Sequence, residues 1–185
     1  MSAGIQAIVG LGNPGADYIL TRHNVGWWLL DAMADGAGAR YTGAKKLHAE
    51  HAQVMIGNSR VHLLKPITYM NKSGLSVAAL CQFYKLAPDN LLIVHDDLDL
   101  PPGTAKLKRG GGHGGHNGLR SVISHIGADF ARLRLGIGHP GHREQVLGHV
   151  LKRASNDDEA AVTDAINRSL KAIDTLFAKG WDAAS

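Results

Sequence analysis

Four separated clusters hold most of the side chains able to do chemistry: Gly10-Leu11-Gly12-Asn13-Pro14-Gly15, Thr21-Arg22-His23-Asn24, Tyr69-Met70-Asn71 and Gly112-His113-Gly114-Gly115-His116-Asn117-Gly118. A histidine with an unperturbed pKa of about 6.5 is a neutral base near physiological pH. Asparagine amides offer uncharged donors to a substrate oxygen or a developing oxyanion. His23 together with Asn13, Asn71 and Asn117 therefore has the make-up of a site that activates water and needs no nucleophile of its own. Asp96 ends an apolar run, where it can orient an imidazole and stabilise its protonated form. With eleven histidines in the chain, that partnership is what distinguishes His23.

These residues fall at the ends of periodic segments. Ile5 to Leu11 read as a buried strand running into a tight loop, and Val25 to Ala34 as a helix. Glu50 to Ile56 and Arg60 to Leu64 read as two strands joined through Gly57-Asn58-Ser59. Lys72 to Lys85 have helical spacing, and Leu91 to Val94 form a strand that stops at His95-Asp96-Asp97. Thr104 to Lys108 suit a short edge strand, Leu119 to Ile126 a helix and Leu133 to Ile137 another strand. A long helix closes the chain, with Asn156 as its expected cap, a stripe of Val162, Ile166, Leu170, Ile173 and Phe177, and Gly180 at its end. Alternating strands and helices with one hairpin give an α/β fold: a single domain over 1–185 with a twisted mixed β-sheet surrounded by helices.

Other chemistries fit less well. Gly10 to Gly15 match a dinucleotide fingerprint in form, but Pro14 removes a backbone donor and the next helix starts about ten residues later rather than at once. The histidine pairs His113 with His116 and His139 with His142 offer metal ligands without a recognisable third and fourth, so no metal is expected. Cys81 sits among apolar helix residues and reads as packing, and Ser73 lies in no nucleophile elbow. Trp27 and Trp28 read as core. Aromatics at 5% do not suggest a single-strand reader built on stacking.

At 185 residues the chain suits one well-buried core. No apolar run approaches the roughly 20 residues that span a bilayer, and no secretory signal is visible at the start. One cysteine rules out an internal disulfide and fits a reducing, cytoplasmic setting. Residues 104–153 hold nine Lys or Arg against two acids, +7, so the remainder carries +4 − 7 = −3. Such polarisation suits a surface that meets phosphates, although a solvated basic face is the commoner meaning of a charge run.

Taken in order, these blocks, with Lys65-Pro66-Ile67-Thr68-Tyr69-Met70-Asn71, His95 to Gly103 and Arg132 to Gly141, resemble bacterial peptidyl-tRNA hydrolases over nearly the whole chain. The resemblance implies hydrolysis of the ester between a peptide, or an N-blocked amino acid, and the 3′ end of tRNA, which recycles tRNA from prematurely released peptidyl-tRNA. It implies His23 as base with Asp96 as its supporting carboxylate. Asn13, Asn71 and Asn117 then position substrate and water, with Tyr18, Met70 and His116 also on the substrate side. Lys108 and Arg134 match positions associated with the tRNA 5′ phosphate. It further implies a monomer that needs no cofactor, no metal and no obligate protein partner, with the acceptor arm of tRNA as the one macromolecule bound. Asp97 departs from the glutamate found in many relatives. A non-catalytic RNA-binding relative and a metal-dependent hydrolase are the rival classes, separable by whether purified protein cleaves the ester and whether a chelator stops it.

Overall fold

The computed structural model describes residues 4–185. Seven strands form one mixed sheet in the order β2-β3-β4-β1-β5-β7-β6. They are β1 (Ala7–Gly10), β2 (Thr42–Ala44), β3 (Ala49–Ile56), β4 (Ser59–Pro66), β5 (Leu91–Asp97), β6 (Ala105–Arg109) and β7 (Ala131–Gly136). The central strand β1 runs parallel to β4 and β5, and β5 runs parallel to β7. The outer pairings β2 with β3, β3 with β4 and β6 with β7 are antiparallel.

Parallel strands covered on both faces lack polar alternation, and β1 is buried at every position. Its side chains still alternate: Ile8 joins Leu63, Leu92, Val94, Leu133 and Leu135 beneath α1 (Val25–Gly36) and α5 (Asn156–Lys179). Ala7 and Val9 join Leu64, Leu91 and Ile93 beneath α2 (Ser73–Tyr84) and α3 (Asn117–Ile126). Two short helices, α4 (Val146–Val150) and α6 (Trp181–Ala184), complete the chain.

The helix α1 can approach the strand ends because two glycines face each other there. A Cβ on Gly10 would lie 2.5 Å from the Gly26 carbonyl oxygen, and one on Gly26 would lie 2.6 Å from the Val94 carbonyl oxygen. Such contacts are below the distance any Cβ tolerates, so backbone packs directly on backbone. That close seat brings the 3-10 turn Arg22–Asn24, just before α1, over the C-terminal end of β5.

Several expectations are corrected in detail. The strand expected to end at His95-Asp96-Asp97 includes these three residues, which pair with Arg134, Leu135 and Gly136 of β7. The short edge strand β2 pairs with β3 in a segment without an apolar pattern. The long helix is capped by Ser155, whose hydroxyl accepts from the Asp158 N–H, and Asn156 is its first residue. Cys81 packs against the sheet's α2 face, as expected, and burial raises its pKa. Trp27 lies in the core, whereas Trp28 is half-buried with its indole N–H donating to the Ile19 carbonyl.

Candidate active site

The C-terminal ends of β1 and β5 meet the first turns of α1 and α3, the place where an open parallel sheet gathers ligand-binding loops. At its centre is the carboxylate of Asp96, 2% exposed. Its Oδ2 lies 2.7 Å from His23 Nδ1 and its Oδ1 2.8 Å from His116 Nε2. A buried carboxylate without such partners would cost several kcal/mol. Burial alone would push the Asp96 carboxyl up, and the two imidazoles reverse that, holding it far below the usual carboxylate range.

The two histidines are held in different states. His116 caps α3: its Nδ1 accepts the backbone N–H groups of Gly118 at 3.1 Å and Leu119 at 3.2 Å. An acceptor nitrogen carries no proton, so Nε2 is the N–H that donates to Asp96, and both ring nitrogens are committed. His23 donates Nδ1–H to the other carboxylate oxygen, and its Nε2 has no hydrogen-bond partner among the described residues. Burial lowers the His23 pKa, but the charge and hydrogen bond of Asp96 outweigh it and leave the pKa raised. The rings of His23 and His116 stand 5.0 Å apart.

One ring nitrogen each of His23 and His116 and a carboxylate oxygen of Asp96 also lie within 4.8 Å of one another, a grouping compatible in distance with a metal. Coordination through His116 Nε2 would need the ring proton on Nδ1, which faces two N–H donors instead. The hydrogen-bond pattern therefore fits an acid-base centre better than a metal centre.

Asn13 is oriented from both sides. Asn24, fully buried, accepts the Asn13 backbone N–H through Oδ1 and donates Nδ2–H to the Asn13 carbonyl, each at 2.9 Å. The Asn13 side-chain Oδ1 accepts the Met70 N–H at 2.7 Å. The acceptor end of the amide is thus used, and its NH2 is the end left for a ligand. Asn117, the first residue of α3, is exposed and accepts from Arg120 Nη1 at 3.0 Å, which orients its amide the same way. Asn71 is exposed in the 3-10 turn Met70–Lys72.

His23, Asp96, His116, Asn117, Lys108 and Arg134 line one cavity of about 690 Å³, together with His139, Arg143 and Leu147. Asn13, Tyr18, Met70 and Asn71 lie outside its lining, Asn13 and Met70 being joined to each other by the Met70 N–H. The Met70 side chain is buried and packs where a Cβ on Gly118 would meet its sulfur at 2.5 Å, so it underlies the start of α3. Arg134 donates Nε–H to Asp97 at 2.8 Å, which neutralises part of its charge.

Arg132, counted in the basic run, is buried; its guanidinium donates to the carbonyls of Gly111, Gly112 and Ala128 and lies on the Phe130 ring. It shapes the glycine-rich loop from inside rather than facing solvent. Asn24 was not singled out from the sequence, and its place beside His23 was the only available signal. His95 was missed as well. It donates Nδ1–H to the Asp96 carbonyl, and complete burial brings its pKa down to about 4, so it is neutral at physiological pH.

Among known proteins, the family model described as Peptidyl-tRNA hydrolase matches residues 7–185. A peptidyl-tRNA hydrolase of Chromohalobacter salexigens is 50% identical over 182 residues, covering 97% of this chain and 94% of the relative. One of Neisseria meningitidis is 49% identical over 186 residues, covering 100% and 97%. The crystal structure of the peptidyl-tRNA hydrolase of Acinetobacter baumannii superposes with a TM-score of 0.93 at 47% identity, covering 97% of this chain and 91% of that one.

The opposed effects on His23 give a direct expectation. In an NMR titration its ring should titrate above its ordinary value of about 6.5. In Asp96→Asn, where burial is left unopposed, the midpoint should move below that value. An unmoved midpoint would show that Asp96 does not set the state of this ring.

Proposed function

The chain belongs to the peptidyl-tRNA hydrolase family, and from that premise we propose that it hydrolyses peptidyl-tRNA by general-base catalysis, without a metal, at His23. It cleaves the ester between the peptide and the 3′ end of tRNA and returns the tRNA to use. The observation that carries the mechanism is the 2.7 Å bond from His23 Nδ1 to Asp96, which leaves Nε2 of His23 unpaired while both ring nitrogens of His116 are bonded.

In this reading Nε2 takes a proton from a water molecule as its oxygen bonds to the ester carbonyl carbon. The carbonyl π pair moves onto oxygen, where the free NH2 groups of Asn13 and Asn117 meet the charge, with Asn71 holding the substrate beside them. The Asp96 carboxylate stabilises the imidazolium formed at His23. The oxyanion then collapses, the bond to the ribose oxygen breaks, and that oxygen leaves with the proton held at Nε2. Products are a peptide acid and tRNA with a free hydroxyl. A general base contributes typically ~10²–10⁴-fold and one oxyanion donor ~10²–10³-fold. His116 does not share the base role, since both its nitrogens are bonded.

The tRNA enters from the basic side. Lys108 has no acidic partner among the described residues and lies beside Gly111 at the rim of the glycine-rich loop, so it is assigned the strongest phosphate contact. Arg134, shared with Asp97, is assigned a weaker one. The cluster and its amides come from one chain, which supports a monomer as the active unit, and one cysteine supports a cytoplasmic setting. No helix among the described residues is long and apolar enough to cross a membrane.

The decisive assay incubates the protein with excess chelator and N-acetyl-aminoacyl-tRNA and scores release of the blocked amino acid. Release is expected at full rate, and loss restored by zinc would overturn the metal-free mechanism. In the same assay Asn13→Asp keeps the acceptor for Met70 N–H but replaces the donor with an anionic oxygen, so kcat should fall by ~10²–10³-fold. A variant with parental kcat would remove Asn13 from the oxyanion role. Lys108→Ala should weaken tRNA binding and reduce the slope of log affinity against log salt by about 1. An unchanged slope would count against that contact.

A further inference from the structure

A second group of ring nitrogens lies toward the opposite end of the sheet from Asp96. In the antiparallel pair β3–β4, His51 faces Leu64 and Gln53 faces His62, so His51 and His62 stand on a diagonal and share one face with Gln53. His51 Nε2 lies 3.0 Å from His62 Nδ1, and the Gln53 amide nitrogen lies 3.3 Å from the same Nδ1. The amide donates, so His62 Nδ1 carries no proton and His51 Nε2 supplies the N–H between the rings. Ala7 of β1 pairs with His62 on one side and with Leu91 on the other. Asp96 is five residues beyond Leu91 along β5, about 17 Å at ~3.3 Å per residue.

Packing holds both rings in place. Tyr84, the last residue of α2, lies 4.0 Å from the His62 ring and 5.8 Å from the His51 ring, at interplanar angles of 35° and 23°. Phe83 braces Tyr84 edge-on at 4.9 Å. Gln53 is exposed and the histidines are half-buried, so solvent reaches the group. His51 Nδ1 and His62 Nε2 have no hydrogen-bond partner among the described residues. At a metal–nitrogen distance of about 2.0–2.1 Å, ligands at a right angle stand about 2.9 Å apart and tetrahedral ligands about 3.3 Å. The 3.0 Å between His51 and His62 matches neighbouring corners of a square or octahedron more closely than two corners of a tetrahedron.

We propose that His51 Nε2 and His62 Nδ1, with the Gln53 amide oxygen as third donor, bind one divalent transition-metal ion of square or octahedral preference, Ni²⁺ or Cu²⁺, with water in the remaining positions. On binding, the His51 proton leaves Nε2 for solvent and another is taken up at Nδ1. Both nitrogens that share one proton then present lone pairs to the cation, with no net change in proton number. The Gln53 amide turns over to bring Oε1 where its NH2 stood. The ion ties β3 to β4 on the face where α2 ends. It stands apart from the hydrolase reading, since the acid-base centre lies further along the sheet and shares no residue with it.

The test titrates Ni²⁺ into the metal-free protein and follows its amide NMR signals. Paramagnetic broadening should reach His51, Gln53, His62 and Tyr84 before His23 and His116. Ni²⁺ at ~100-fold excess over its Kd should raise Tm by about 5 °C. His51→Gln and His62→Gln should each weaken binding at least ~10-fold, while metal-free Tm and ester hydrolysis stay at the parent's values. Gln53→Leu, which removes only the third donor, should weaken binding less. Ni²⁺ should bind more tightly than Zn²⁺, which prefers the wider tetrahedral spacing. Broadening centred on His23 and His116, no binding below millimolar Ni²⁺, or parental affinity in both histidine variants would overturn the site. Tighter binding of Zn²⁺ than of Ni²⁺ would overturn its geometry.

Discussion

A carboxylate removed from water must be answered by donors, and around Asp96 the chain brings two imidazoles to do so. The consequences reach outward from that requirement. One imidazole is also the cap of α3, which leaves it no free nitrogen; the other keeps Nε2 free. A single buried anion therefore joins three distant parts of the sequence, the turn before α1, the end of β5 and the start of α3, and gives chemically identical side chains unlike duties.

The scaffold serves that geometry. The glycine contact between β1 and α1 sets how far His23 can reach over β5, and β7 carries the polar end of β5 as regular strand. Arg132 gathers loop carbonyls that would otherwise lack a partner and holds the glycine-rich segment beside Lys108. One member of the basic run is thus structural, and the cations left to face the cavity are Lys108, Arg120 and Arg143 with a partly neutralised Arg134. Charge counting along the chain overstates the surface that a phosphate meets.

Much of this was legible before any coordinates. Period-two and period-3.6 patterns located the main strands and helices, since burial on one face leaves a periodic trace. His23, Asp96 and the asparagines stood out by residue type at element ends. What escaped had no local signature. A histidine cap on α3 and the Asn24 brackets around Asn13 depend on partners far away in sequence. The edge strand β2 has too few apolar residues to show alternation.

The central claim is that a neutral His23, poised by Asp96, removes the proton from the attacking water. Its most direct test is single-turnover hydrolysis of N-acetyl-aminoacyl-tRNA by His23→Ala, with folding checked by circular dichroism and tRNA affinity measured in parallel. The expected result is a rate lowered by ~10²–10⁴-fold with tRNA affinity close to the parent's. A folded variant that cleaves at the parental rate would contradict the assignment of the base.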